Sequence, residues 1–267
     1  GVFSVGAYKV EEDGTSNIAS FSARGGGWGG PSVPKRSIID ITAPTTFEFP
    51  YAASSRSEEL YGPGRFGGTS AATPAVAGAA VVFRDFYHRE HSFLIDSPGI
   101  LYANLLLMGD RAAEDRSEIF DTDDADDVPV SSLTGFDSLW GAGRLRMRMW
   151  NKAGLDRPAR WQTGRLCVAD GQNRFIDMTP NGPLHPDVNI IKITAWWYDH
   201  RHDEGIPHDK IKTTLEYRKN EVENFKAYRS TNTDDNKQRV YVSGAGEWLL
   251  RLKFSGTDVT SDDEGCG

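Results

Sequence analysis

Twelve residues, Gly67–Gly78, read Gly-Gly-Thr-Ser-Ala-Ala-Thr-Pro-Ala-Val-Ala-Gly, and no other stretch constrains the fold of this chain as tightly. Nearly every side chain in it is small. It runs into an apolar segment whose pattern predicts a helix from Ser70 to about His91. A helix start built this way suits a place where backbones approach closely and little side-chain bulk is tolerated. Gly67 and Gly68 precede it, so the chain can turn sharply into the helix without a Cβ in the way. Pro74 falls in the early helix, where its missing N–H does little damage.

The segments ahead of Gly67–Gly78 predict short buried strands. Gly1–Ala7 is β-prone and ends in a polar turn. Ile18–Ser22 reads as a second strand and Ile38–Ala43, closed by Pro44, as a third. Thr45–Phe66 reads as irregular, with Pro, Gly, Ser and Glu scattered through it. A second helix is predicted over Pro98–Met108, then an acidic loop from Asp110 to Val130, then a closing turn with helix or extended chain over Gly135–Trp150. The Gly and Pro of Gly154–Arg160 mark a boundary, dividing the chain into residues 1–155 and 156–267. Beyond it the pattern becomes repeated short strands: Gly164–Val168, Val188–Trp197, Ile211–Tyr217, Phe225–Tyr228, Arg239–Val242 and Glu247–Phe254. Strands at this spacing, with turn residues between them, predict an all-β sandwich or jelly roll.

Composition narrows the function classes. A net charge of −8 argues against a nucleic-acid partner, because phosphate binding needs a basic surface. No apolar run reaches the roughly 18–20 residues that cross a membrane, so no membrane partner is expected. The glycine-rich run Gly25–Gly30 lacks the lysine and helix start of a phosphate-binding loop. Two cysteines, Cys167 and Cys266, fit either one disulfide or two free thiols.

The chemistry implied by Gly67–Gly78 follows from what a nucleophilic serine requires. Its hydroxyl must sit where a base can take the proton, and the developing oxyanion needs backbone N–H donors. The first turn of a helix supplies unpaired N–H groups and the positive end of the dipole. Ser70 stands at such a start, and Ala71 and Ala72 leave room beside it. An ordinary serine N-cap would account for Ser70 alone. It does not account for the whole string, nor for Pro four positions after the serine.

Gly68–Gly78 resembles the serine signature of the subtilisin-like serine proteases (subtilases), Gly-Thr-Ser-Met/Ala-Ala-Thr/Ser-Pro-x-Val-Ala/Ser-Gly, at every position. Val2–Ala7 and Ile18–Gly25 are similar to that family's strand and its Ala-Ser-Phe-Ser segment. Ile38–Pro44 resembles its Asp-Ile-x-Ala-Pro strand, and Leu139–Leu145 its Gly-x-Gly closing segment, in the same order. The resemblance covers about residues 1–150. It implies an α/β subtilisin-like fold with an incomplete parallel sheet, followed by the β-sandwich. It also implies a serine endopeptidase acting on peptide or protein substrates, with Ser70 as nucleophile and Ser70, Thr69 and Gly68 as the oxyanion and substrate-binding backbone. Two departures stand out. Thr45 follows Ala-Pro where the family has Gly, and the stretch from Pro44 to Gly67 is longer, which predicts an inserted loop near the active site. The Gly-Thr-Ser-Ala-Ala of Gly68–Ala72 does not fit the Gly-x-Ser-x-Gly of α/β-hydrolases.

The family's catalytic residues run in the order Asp, His, Ser. None of the six histidines precedes Ser70, and His88 and His91 fall about five turns along its helix, roughly 27 Å away. The expectation is therefore a fragment, inactive alone, whose partner is the N-terminal half of the protease domain carrying the Asp, the His and an oxyanion Asn. No cofactor is required. Asp121–Asp127, with five aspartates, is expected to be a solvated loop, with calcium as the alternative. Asp199–Asp203 and His208–Asp209 read as surface loop ahead of metal site. Ala195–Asp199, Ala-Trp-Trp-Tyr-Asp, resembles a strand of the β-sandwich domains appended to subtilases, including convertase-like ones. Trp196 and Trp197 are expected to face opposite sides of that strand, one in a core. A secreted or cell-envelope location is expected ahead of a cytoplasmic one. The alternative function is a non-catalytic binding or scaffold protein that keeps the protease fold.

Overall fold

Helix α1, Thr69–Glu90, buries Ala72, Val76, Ala79, Phe83 and Tyr87, a stripe with helical spacing. That stripe packs on strands β1 (Val5–Val10) and β3 (Ile41–Pro44), whose Ala7, Ile41 and Ala43 share its core with Met108. In this computed structural model the described residues are 2–12, 14–23, 39–52, 61–90, 97–110, 136, 139–147, 163–179, 182, 190–197, 210–218, 222, 224–229, 237–243 and 248–257. The predicted Gly25–Gly30 loop, the acidic run 121–127, the boundary at 154–160 and the clusters at 199–203 and 208–209 lie outside them.

The first sheet has the order β2-β1-β3-β7-β6, with β2 at Ser16–Ile18, β6 at Gly109–Asp110 and β7 at Arg144–Leu145. β1, β3 and β7 run parallel, and β2 and β6 are antiparallel edges. The result is a mixed α/β layer, compatible with the subtilisin-like expectation. Helix α2, Pro98–Leu107, begins with the proline predicted for it and buries Ile100, Leu105 and Leu106.

The strand expected at Ile18–Ser22 lies earlier, as β2 at Ser16–Ile18, with a turn following it, and two further expectations are corrected. Thr45–Phe66 is not irregular: β4 (Phe47–Ala52) and β5 (Tyr61–Phe66) form an antiparallel hairpin. Its prolines face each other, Pro50 opposite Pro63. In a two-stranded ribbon such a position costs no ladder bond if both nitrogens point outward, so prolines do not rule out a strand here. The second correction is Gly164–Val168, which is not a strand. The strand lies further on, as β8 at Asn173–Asp177, with all five residues exposed.

The remaining strands fall where the pattern placed them: β9 (Ile190–Trp196), β10 (Lys210–Arg218), β11 (Lys226–Arg229), β12 (Lys237–Ser243) and β13 (Leu249–Thr257). They form two antiparallel sheets, β11-β10-β13-β8 and β12-β9. Ile191, Ile193 and Val240 from one share an apolar cluster with Leu215, Leu250 and Leu252 from the other. Cys167 is disulfide-bonded, which settles its state against a free thiol.

The β9–β12 ribbon has two working faces, because strand residues alternate. Ile191, Ile193 and Val240 point into the apolar cluster. Lys192, Thr194, Trp196, Lys237 and Arg239 meet the first layer. Thr194 Oγ1 donates to Ala103 O at 2.7 Å, and Trp196 stacks on Tyr102 with ring centroids 5.0 Å apart. Trp196 also lies over Gly99, where a Cβ would come within 2.9 Å of its ring. Trp196 is thus the contact tryptophan; both it and Trp197 are half-buried. Lys192 Nζ and Arg239 Nη2 each donate to Gly109 O at 3.1 Å. Burial and the Arg239 guanidinium lower the pKa of Lys192, against the opposing pull of the Asp110 carboxylate.

Candidate active site

Ser70 is exposed, while Ala71 and Ala72, which follow it, are buried. The helix begins at Thr69, one residue earlier than predicted, so Ser70 sits in the first turn. That turn has no acidic residue to oppose the positive end of the dipole, and the last turn carries His88 and Arg89. Among the described residues, neither the amide nor the hydroxyl of Ser70 has a hydrogen-bond partner. Both groups are therefore available to an incoming molecule.

The loop ahead of the helix is held by an unexpected residue. Gly68 has φ +78°, a backbone conformation that favours glycine. Its carbonyl accepts two bonds, from Ala71 N at 3.1 Å and from Thr45 Oγ1 at 2.9 Å. Thr45 is itself fixed, its N–H donating to Tyr8 O at 2.8 Å. The threonine that stands where the resemblance leads one to expect glycine is thus a buried strap. It ties the end of β3 to the turn two residues before Ser70. Thr42, in the same strand, donates from both N and Oγ1 to Gly143 O.

The left-handed backbone falls one position later, at Thr46, with φ 67°. A β-branched residue there carries strain of about 1–2 kcal/mol. Thr46→Asn should stabilise the chain by roughly 0.5–1 kcal/mol, because Asn tolerates this region best among residues with a Cβ. Urea unfolding of the two proteins checks this, and a loss of stability would show that the Thr46 hydroxyl does something the backbone angle does not explain.

Within the helix, Thr73 Oγ1 donates back to Thr69 O at 2.9 Å. Pro74 is the sixth helical residue and lacks the N–H that would serve Ser70 O. The first turn is thus pinned at Thr69 and left open at Ser70. The hairpin β4–β5 leads directly into Gly67, and Phe66 at its end is exposed.

The predicted Gly68, Thr69 and Ser70 therefore lie together at one helix start. A base does not accompany them among the described residues, where His88 is the sole histidine. It lies eighteen residues along the same helix, about 27 Å from Ser70. Asp40 is buried and fully engaged: its Oδ2 accepts from Ser4 N at 2.6 Å and Tyr102 OH at 2.7 Å, and its Oδ1 from Lys237 Nζ. Sequence reasoning gives Asp40 no role, and marks Thr45 only as a departure from the glycine the resemblance leads one to expect. A visible signal for Asp40 was a carboxylate inside the apolar run Ile-Ile-Asp-Ile, since such a charge needs buried partners.

Compared with known proteins, residues 1–92 match the family model described as the subtilase family. That span includes β1, β3, the hairpin and all of α1. No curated protein matches the chain.

Proposed function

Starting from the subtilase match over residues 1–92, we propose that this chain is part of a serine endopeptidase of that family, acting on peptide or protein substrates through Ser70. The observation that carries the reading is an exposed serine in the first turn of a small-residue helix inside the matched span, whose amide and hydroxyl have no hydrogen-bond partner among the described residues. Ser70 Oγ would attack the scissile carbonyl as a base removes its proton. The Ser70 N–H, aligned with the helix dipole, would help hold the oxyanion. Gly68 and Thr69 would form the adjacent wall of the substrate channel, with the Thr45 strap keeping the turn from yielding.

His88 is too distant to act as the base, and none of the six histidines precedes Ser70. The family's order Asp, His, Ser therefore assigns the imidazole, its orienting carboxylate and an Asn donor to an N-terminal half of the protease domain. The exposed side of α1, with Val81 and Val82 at 68% and 54% exposure, supports a surface that such a half would cover. Residues 156–267 are read as an appended β-sandwich domain that stabilises residues 1–155; the cluster shared by its two sheets supports this. The disulfide at Cys167 supports an oxidising, secreted or cell-envelope location. No cofactor is assigned, and calcium at Asp121–Asp127 stays the lesser reading for that loop.

A peptide-hydrolysis assay tests the proposal. The chain alone is expected to show no protease-like turnover, and a polypeptide that also carries the Asp- and His-bearing segments is expected to hydrolyse peptides. Turnover by the chain alone would refute the division of labour. Absence of turnover in the longer polypeptide would favour a non-catalytic scaffold that keeps the fold.

A further inference from the structure

We infer that Lys237, 167 residues beyond Ser70 in the chain, is a positioning residue for the Ser70 loop. It acts by neutralising Asp40 at the far end of the strand that holds that loop. The inference rests on the protease reading only in taking Ser70 as the group being positioned.

The geometry is specific. Asp40 and Lys237 are both buried, with side-chain exposures of 2% and 4%, and they form a direct ion pair. Four segments converge on Asp40. Its carboxylate binds Ser4 N ahead of β1, Tyr102 OH on α2 and Lys237 Nζ on β12. Its carbonyl accepts Ala142 N at 2.8 Å, and its own N–H donates to Ser4 O at 2.9 Å. Ser4 N and Tyr102 OH are neutral donors. Among the described residues Lys237 is the cation bonded to this carboxylate, and its ammonium also lies 5.2 Å from the Phe136 ring. Removing one partner of such a pair leaves an uncompensated buried charge, a far larger penalty than the pair's own net contribution.

From Asp40 the chain runs straight to the site. Ile41–Pro44 is β3, buried and bonded to β1 on one side and β7 on the other. Thr45 follows, and its hydroxyl holds Gly68 O. The span from Asp40 to Thr45 is about 16 Å of extended chain. A displaced Asp40 is poorly absorbed inside β3, because β1 pairs with all four of its residues and β7 holds Thr42 from the other side. The shift is passed to the end of the strand, where the Thr45 hydroxyl ties β3 to Gly68 O in the Ser70 turn.

The test compares wild type, Lys237→Met and the double variant Asp40→Asn/Lys237→Met. It measures amide hydrogen exchange at Thr45 and Ala71, with Leu215 and Leu252 in the second cluster as reference. Lys237→Met is expected to lower Tm by roughly 10 °C. It should speed exchange at Thr45 and Ala71 at least about tenfold more than at Leu215 and Leu252. The double variant removes both charges and should restore that ratio to near wild type. Wild-type exchange at Thr45 and Ala71 in Lys237→Met would overturn the inference. So would a double variant as damaged as the single one, and that arm still decides the question if Lys237→Met does not fold. None of these readouts requires catalysis. Failure of Ser70 to react with a serine-directed probe would count against the protease reading and leave the exchange result standing.

Discussion

Ser70→Ala, made in a polypeptide that carries the histidine and aspartate segments, is expected to lower kcat about 10⁶-fold while leaving stability within about 0.5 kcal/mol. The size of the loss is carried over from subtilisin itself, where removing the nucleophile costs about 2 × 10⁶ in kcat. The stability half of the expectation comes from this chain. Ser70 is exposed, and its hydroxyl has no hydrogen-bond partner among the described residues. The loop is held instead by Thr45 Oγ1 and Ala71 N on Gly68 O, which alanine at position 70 leaves intact. An inactive variant that was also several kcal/mol less stable would mean that Ser70 serves as a structural cap. Peptide turnover and urea unfolding, measured on the same preparation, separate the two.

Gly141→Ala is expected to cost roughly 2–5 kcal/mol, a large share of the stability of any ordinary domain. Gly141 has φ +58°, where a side chain is strained regardless of space. Space is also missing, because an added Cβ would stand 2.5 Å from Ile39 O and 2.7 Å from Asp40 O. These are backbone atoms at the entry to β3, and they cannot rotate aside as a flexible side chain could. Ala142 N bonds Asp40 O at 2.8 Å, so the Gly-Ala-Gly turn is pressed against the strand by its own hydrogen bond. Gly164→Ala is the matched control, since a Cβ there meets nothing within 4 Å. It should change stability by less than about 0.5 kcal/mol. Urea unfolding of the two variants decides it; equal midpoints would show that the turn at Gly141 can move away from β3.

What could be read before the structure was local. Helix α1 was legible to within a residue at each end, because an apolar stripe and a run of small residues both specify it. Pro98 marked the start of α2 for the reason prolines begin helices. Strands β9, β10, β12 and β13 alternate or carry β-branched runs, and their order followed. The hairpin β4–β5 was not legible. Pro50 and Pro63 argue against strands when read singly, and their register opposite each other across the ribbon is not visible locally. β8 was missed because its five residues are all exposed, so no buried periodicity betrays it.

The site divides in the same way. Gly68, Thr69 and Ser70 are contiguous, and a contiguous motif survives in sequence. The strap from Thr45 crosses 23 positions and the ion pair from Asp40 crosses 197. Nothing local to Lys237 distinguishes it from a surface lysine on a strand. Its partner becomes apparent only when β12 is laid against the first layer. Thr45 stands where the resemblance leads one to expect glycine, but the left-handed angle that a glycine would accommodate falls at Thr46.

In the proposed enzyme the Ser70 hydroxyl becomes a nucleophile once an imidazole stands beside it. The most direct measurement is fluorophosphonate treatment followed by mass spectrometry of the digested protein, on this chain and on the polypeptide that includes the Asp- and His-bearing segments. An adduct on Ser70 is expected in the longer polypeptide and none on the chain alone. A peptide-hydrolysing longer polypeptide that carried its adduct on another residue, with Ser70 unmodified, would contradict it.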